Sequence, residues 1–182
     1  MTPTDGRSLG IGMVGYAFMG AAHSQAWRNA PSFFTLPLRP DMTAICGRNE
    51  QAAVAVAERF GWQSVETDWH LLLKRPDIDL IDICTPGDTH AEIAITALEA
   101  GKHVLCEKPL ANSVAEAEAM TAAAEKAAES GIRSMVGFTY RRVPAIGLAH
   151  RLVAQGRIGT IRNVRAQYLQ DGMVVTLEFH ED

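Results

Sequence analysis

The chain has 182 residues, of which 47% are hydrophobic and 21% are charged, and its formal net charge is −4 at pH 7. This length provides for one well-buried domain and a small appendage. The acidic balance argues against nucleic acid as a partner, because no run of lysine or arginine offsets it. No apolar stretch reaches the ~18 residues that span a bilayer. We therefore expect a cytoplasmic protein with neither a nucleic acid nor a membrane as its partner.

Each of the three cysteines, Cys46, Cys84 and Cys106, ends a short apolar run. Their odd number and the lack of a C-x-x-C spacing argue against a disulfide framework and a zinc ribbon. The sequence predicts reduced, buried thiols at strand ends, and no metal site.

Short β-like runs alternate with longer helical runs, a pattern typical of a parallel sheet joined by right-handed crossovers. The predicted strands cover residues 8–14, 42–46, 64–66, 80–84, 103–106 and 134–137. The predicted helices cover residues 20–29, 50–60, 68–74 and 144–154, with two more after residues 89 and 113. Three prolines predict a long loop at residues 31–41. The fold class is therefore α/β, with a doubly wound parallel (Rossmann) sheet.

Three local signals refine this scheme. Residues 89–92 and 113–116 both have the form of a helix capping box. After Gly159 the rhythm changes, because the β-like runs 161–169 and 173–179 flank Asp171-Gly172, a strong hairpin signal. We expect a short C-terminal β extension that begins a second domain.

The turn after the first strand is a candidate dinucleotide site. A pyrophosphate needs small residues there and free N–H groups at the start of the next helix. The chain offers Gly15-x-Ala17-x-x-Gly20, with alanine at the middle position. The candidate contacts are Gly15, Ala17, Phe18, Met19 and Gly20. A glycine-rich turn that binds nothing remains the alternative.

The end of the second strand bears on the choice of cofactor. A carboxylate commonly holds the ribose 2′-hydroxyl there, but this chain has Cys46-Gly47-Arg48-Asn49. Arg48 would pair with a 2′-phosphate, which favours NADP over NAD. The alternative is that Arg48 is a solvated loop residue.

Two further strand ends carry candidate residues. Thr85, Pro86 and His90 follow the fourth strand, and His90 either lines the cofactor site or caps its own loop. Glu107-Lys108-Pro109 follows the fifth strand. Lys108 is the candidate catalytic residue, since its ammonium would bind a substrate hydroxyl and stabilise oxyanion character, with Glu107 offsetting its charge. A solvated Glu-Lys pair is the alternative.

The motifs together resemble the Gfo/Idh/MocA oxidoreductases, the family of glucose–fructose oxidoreductase and inositol dehydrogenase. The resemblance runs from about residue 9 to residue 171 and is most specific at Gly101-Lys102-His103-Val104-x-x-Glu107-Lys108-Pro109. It implies a dehydrogenase that binds NAD or NADP and oxidises a CH–OH group of a sugar, inositol or related polyol. It also implies that Lys108 lies beside the nicotinamide and the substrate, that Glu107 and Lys108 belong to the cofactor-binding residues, and that Tyr140-Arg141 lies near a domain junction.

The chain departs from this family in its C-terminal part. Family members are considerably longer, and their second α/β domain usually carries a catalytic histidine, whereas residues 172–182 contain only His180. We expect an NAD(P)-binding domain at 1–140, and a linking helix with the beginning of a truncated second domain at 141–182. The resemblance implies homo-oligomers for full-length members, an expectation that does not extend to this chain. A non-catalytic dinucleotide-binding module or an inactive remnant is the alternative function.

Overall fold

A computed structural model describes residues 7–169. Six parallel strands form one sheet in the order β3-β2-β1-β4-β5-β6. The strands are β1 (Ser8–Val14), β2 (Arg39–Cys46), β3 (Ser64–Glu66), β4 (Leu80–Ile83), β5 (His103–Cys106) and β6 (Ser134–Val136). The helices are α1 (Phe18–Phe33), α2 (Glu50–Phe60), α3 (Trp69–Lys74), α4 (His90–Glu99), α5 (Val114–Glu129) and α6 (Pro144–Ala154).

The strand order reverses direction at the centre of the sheet. From β1 the chain moves outward to β2 and β3, then returns to pair β4 with the other edge of β1, Val14 opposite Ile83. In open α/β sheets, ligands bind at the carboxyl ends of the strands beside such a reversal. The predicted doubly wound Rossmann sheet is confirmed.

Both faces of the sheet are buried. Along β2, Ala44 and Cys46 belong to one core cluster and Ile45 to another, as the alternation of side chains in a strand requires. A strand covered on both faces can be continuously apolar, which explains why β4 reads as a Leu/Ile run. The charged residue inside that run, Asp82, is the exception.

The predicted long loop at residues 31–41 is wrong at both ends. Helix α1 continues to Phe33 with Pro31 in its last turn, and the Phe34 N–H still donates to Ala30 O at the end of the helix. Strand β2 begins at Arg39, three residues before the predicted start. Arg39 N–H donates to Arg7 O, so the Pro40 nitrogen faces away from β1, on the side that β3 does not reach. The missing N–H of Pro40 therefore costs no bond within the sheet.

Only one of the two predicted capping boxes forms. Ser113 Oγ accepts the Glu116 N–H, and the Glu116 carboxylate accepts the Ser113 N–H in return. Thr89 is instead the last residue of a 3₁₀ turn (Gly87–Thr89), and its hydroxyl lies 2.7 Å from Thr85 Oγ1 and 2.8 Å from Pro86 O. The tight turn thus takes the hydroxyl that a capping box would need at the start of α4.

Residues 139 onward form a second unit, separate from the unit that ends at Phe138. It contains a 3₁₀ turn (Thr139–Arg142), helix α6, and a contact of 3.0 Å between the Tyr140 and Tyr168 hydroxyls. The strand predicted at residues 161–169 is wrong, because no strand among the described residues pairs with it. The partner run 173–179, its turn and His180 lie outside the described residues. No helix of the described part is long and apolar enough to cross a membrane.

Candidate functional site

The turn between β1 and α1 depends on two glycines. Gly15 has φ 97°, a left-handed conformation that favours glycine, and a Cβ there would lie 2.8 Å from the Cys84 carbonyl carbon. A Cβ at Gly20 would collide with the Gly15 carbonyl oxygen. The first glycine therefore makes the turn and the second lets α1 pack tightly against it. These are the roles that the first and last glycines play in a dinucleotide-binding turn.

The amino end of α1 is open to solvent beside this turn. Its N-cap residue is Ala17, no side chain caps the first turn, and that turn holds no acidic residue. Ala17 and Phe18 are exposed. The first N–H groups of α1 are therefore available to an anion, and the helix dipole favours one. The turn and the helix end together fit the pyrophosphate of a dinucleotide.

A groove of about 580 Å³ runs along the carboxyl ends of β1, β2 and β4. Of the predicted site residues, the groove brings together Gly15, Ala17, Arg48, Thr85 and Pro86. The others, Phe18, Met19, Gly20, His90, Glu107 and Lys108, do not line it. The groove thus joins the first, second and fourth strand ends but not the fifth.

Tyr16 shapes the groove where β2 ends, a role that the sequence did not reveal. Its ring lies so close to Gly47 that a Cβ at that position would collide with it. Arg48 is exposed beside this contact, and Asn49 Oδ1 accepts the Ala52 N–H to begin α2. Because Gly47 and Asn49 are held, the exposed Arg48 side chain projects from a fixed turn at the groove.

At the corner after β5, which is formed by Glu107, Lys108 and Pro109, the Glu107 side chain is buried and the Lys108 side chain is exposed. Glu107 is 3% exposed, its Oε2 accepts the Lys108 N–H at 3.0 Å, and its Oε1 lies 3.1 Å from His23 Nε2. Lys108 is exposed, and its ammonium forms no hydrogen bond or ion pair with residues 7–169. The expectation that Glu107 offsets the Lys108 charge is wrong, because the carboxylate points into the protein. The Lys108–Pro109 peptide bond is cis.

A buried polar network lies behind this corner. His23 Nδ1 lies 3.0 Å from both carboxylate oxygens of Asp82, and Trp27 Nε1 donates to Asp82 Oδ2 at 2.7 Å. Burial alone would lower the pKa of His23, but the hydrogen bonds and charges of Asp82 and then of Glu107 outweigh it and raise the pKa. A carboxylate inside an apolar strand was the one sequence signal that pointed to this network.

His90 braces two loops against each other. The residue is 1% exposed, and its ring nitrogens lie 2.8 Å from Pro109 O and 2.8 Å from Thr85 O. These contacts connect the loop after β4 with the corner that carries Lys108. Direct contact between His90 and a cofactor stays a prediction.

The three cysteines are free and buried, as expected. Burial, followed by nearby carboxylates, raises the pKa of Cys46 and that of Cys106 to about 12 and raises the pKa of Cys84 as well. Such thiols stay protonated and are poor nucleophiles. Cys84 lies with His23 and Asp82 in a group whose ligand atoms are within 4.8 Å of one another. The 3.0 Å contacts of that group are hydrogen-bonding distances, and the expectation of no metal site stays a prediction.

The fold and the site define an NAD-binding oxidoreductase domain. Residues 9–138 match the sequence profile of an oxidoreductase family with an NAD-binding Rossmann fold. The chain belongs to that family, the Gfo/Idh/MocA oxidoreductases.

Levoglucosan dehydrogenase of Pseudarthrobacter phenanthrenivorans is 44% identical over 166 residues, which cover 91% of this chain and 42% of that protein. The crystal structure of an oxidoreductase domain protein from Kribbella flavida is 72% identical and has a TM-score of 0.88, covering 91% of this chain and 44% of its own. The structure of a levoglucosan dehydrogenase in complex with NADH and levoglucosan is 44% identical in sequence and has a TM-score of 0.80. The match covers 84% of this chain and 41% of that one.

The match thus spans about two fifths of each of these relatives. The part that it covers is the NAD-binding, N-terminal part, and related structures hold NADH. NAD is therefore the cofactor of the family, and the preference for NADP stays a prediction.

Proposed function

We propose that this chain is the cofactor-binding part of a dehydrogenase that oxidises a CH–OH group of a sugar, inositol or related polyol. The carrying observation is the turn from Gly15 to Gly20, whose two glycines are required by close contacts beside an uncapped helix end. Relatives that include a levoglucosan dehydrogenase and a scyllo-inositol 2-dehydrogenase (NAD(+)) of Bacillus subtilis support the substrate class. A cofactor domain at 1–140 and a second, partial domain at 141–182 belong to this proposal, as does a cytoplasmic location.

Each site residue has a defined task in this proposal. The backbone from Gly15 to Gly20, including Phe18 and Met19, holds the pyrophosphate, and Thr85 and Pro86 border the groove at the next strand end. When bound, the dinucleotide supplies the acceptor for the hydride. The Lys108 ammonium would donate a hydrogen bond to the substrate oxygen and stabilise the negative charge that develops on it. Because Glu107 points inward, the charge of Lys108 is available for this task.

Titration of the purified chain with NADH and NADPH, followed by nucleotide fluorescence, tests the proposal. We expect saturable binding of NADH, since the turn and groove are complete within this chain. Lys108→Ala should leave that binding within about twofold, because the corner lies outside the groove. In a full-length protein, the same change should lower kcat far more than it weakens cofactor affinity. Absence of binding of either nucleotide at millimolar concentration would contradict the proposal.

A further inference from the structure

We propose that His23 is a positioning residue of this site, an imidazolium shared between Asp82 and Glu107 that holds Glu107 inward and so fixes the Lys108 backbone. The inference rests on the proposed function only in the role given to Lys108. The inference makes two claims that can be tested without any ligand: the buried His23 ring is doubly protonated, and its protonation state affects the Lys108 peptide.

The contacts of the two carboxylates are mainly with hydrogen-bond donors. Glu107 Oε1 faces His23 Nε2 at 3.1 Å and Oε2 accepts the Lys108 N–H at 3.0 Å. Asp82 Oδ2 accepts the Trp27 indole N–H at 2.7 Å, and Oδ1 faces the Cys84 thiol at 3.6 Å. Glu107 Oε2 and Asp82 Oδ2 therefore each face an N–H group that can only donate, Asp82 Oδ1 faces a thiol, which is a poor acceptor, and Glu107 Oε1 faces the His23 ring.

With both carboxylates ionised, the protonation state of His23 follows from its two contacts. A neutral imidazole has one N–H and would donate to only one of the two carboxylates, leaving a lone pair against the other. An imidazolium donates to both, and its charge-assisted hydrogen bonds are the stronger kind. With His23 charged, the group carries a net charge of minus one rather than two uncompensated buried charges.

The three side chains of this hydrogen-bonded group are largely shielded from water. The His23 side chain is 14% exposed, Asp82 is fully buried and Glu107 is 3% exposed. The titratable groups that face His23 and its partners are these two carboxylates and the thiols of Cys84 and Cys106. The pKa of His23 is raised, in agreement with the geometry.

The hydrogen bonds of His23 connect helix α1 with the end of strand β5, and the proposed site uses residues from both. His23 lies on α1, whose amino end forms the dinucleotide turn, whereas Glu107 ends β5 beside Lys108. Gly137 closes the pocket from a third side, since a Cβ there would lie 2.8 Å from Glu107 Oε1. Only glycine therefore fits beside the carboxylate on that side, and because Glu107 Oε2 accepts the Lys108 N–H, losing the His23 bond at Oε1 would disturb the Lys108 peptide directly.

NMR of the uniformly ¹⁵N-labelled chain tests the inference. At pH 7 we expect both ring nitrogens of His23 to be protonated. As the pH rises, the Lys108 amide, which donates to Glu107, should shift with the same midpoint as the His23 ring. Glu107→Gln should lower the His23 midpoint by about 1 pH unit or more, because it removes one of two opposite charges. In His70→Gln, which changes an exposed histidine beside Asp68, the Lys108 transition should be unchanged.

Each result of these titrations either supports or overturns the inference. Matching midpoints that are lost in His23→Gln support the inference. A neutral His23 at pH 7, or a Lys108 amide that ignores its titration, would overturn it. Should His23→Gln fail to fold, the wild-type and Glu107→Gln titrations decide alone. NADH titration of the same samples reports separately on the proposed function, so either idea can fail while the other holds.

Discussion

Gly15 and Gly61 share a left-handed backbone but differ in their surroundings. Gly15 has φ 97° and lies against the Cys84–Thr85 backbone, whereas Gly61 has φ 87° with nothing within 4 Å of its Cβ position. Substitution by alanine strains the backbone at both, at about 1–2 kcal/mol. We expect Gly15→Ala to abolish NADH binding, since it also displaces the turn from the loop after β4.

Gly61→Ala is the matched control for this change. It should lower the melting temperature while leaving NADH affinity within about twofold, because Gly61 ends α2 outside the groove. Circular dichroism would report the melting temperature and fluorescence titration the affinity. Equal loss of affinity in both variants would mean that strain, and not the position of the turn, governs binding.

Arg48 is the residue on which the predicted preference for NADP rests. It is exposed at the groove, with no carboxylate at the end of β2 to hold a ribose hydroxyl. If Arg48 pairs with a 2′-phosphate, Arg48→Ala should weaken NADPH binding by about tenfold, or ~1.4 kcal/mol, and barely change NADH binding. Arg59→Ala, on α2 away from the groove, serves as the charge-matched control. An unchanged ratio of the two affinities in Arg48→Ala would refute the preference for NADP.

At the scale of single elements, α5 offers a direct measure of helix capping. Ser113 and Glu116 exchange hydrogen bonds with each other's backbone. Ser113→Ala should cost about 1 kcal/mol of unfolding free energy. Thr121→Ala, on the same helix, removes only a bond from an exposed hydroxyl to Ala117 O and should be neutral or slightly stabilising. Urea unfolding of both variants measures the difference, and an equal loss in the two would argue against the cap.

The elements also show what a sequence pattern can and cannot predict. Strand and helix order followed from hydrophobic periodicity, and the Ser113 box formed because no contact among residues 7–169 competes with the Glu116 N–H for the Ser113 hydroxyl. The Thr89 pattern looked the same, yet Thr85 and Pro86 lie within reach of its hydroxyl once the chain turns. Pro40 was likewise misjudged because its tolerance depends on a neighbouring strand being too short to meet it. Such outcomes depend on tertiary neighbours that local sequence does not contain.

In the candidate site, too, some features were predictable from the local sequence and others depended on tertiary neighbours. Backbone-defined features, such as the turn at Gly15 and the exit at Thr85-Pro86, were predictable because glycine and proline report on backbone geometry. The inward position of Glu107 was not, since it depends on His23 and Asp82, which lie 84 and 25 positions away in the sequence. Hydrogen bonds between polar residues that lie far apart in the sequence can be identified only from the folded structure.

For the whole molecule, the buried histidine predicts how stability varies with pH. Because the pKa of His23 is raised in the folded chain, the folded state binds this proton more tightly than the unfolded state does. The contribution is complete below the unfolded value of about 6.5 and is lost as the pH rises through the folded pKa. We expect the difference in unfolding free energy between wild type and His23→Gln to shrink as the pH rises above about 6.5 and passes through the raised pKa of His23.

Urea unfolding at several pH values measures this difference. Both proteins contain the same three buried thiols, so the ionisation of unfolded cysteines near about pH 8.5 affects both curves alike and cancels in the difference. His70→Gln should track the wild-type curve. A difference between wild type and His23→Gln that is constant with pH would contradict linkage through His23.

The central place of β1 also constrains how the chain can be assembled during synthesis. One edge of β1 pairs with β2, which follows closely, but the other must wait for β4, and Gly10 N–H donates to Asp79 Oδ2 across 69 residues. A nascent chain that has emerged only as far as α3 therefore presents an unpaired strand edge at what will become the middle of the sheet. Closing such distant contacts is slow compared with local pairing. Arrested nascent chains that end before and after β4 should accordingly differ sharply in protease resistance, with protection of β1 arriving only once β4 is free of the ribosome.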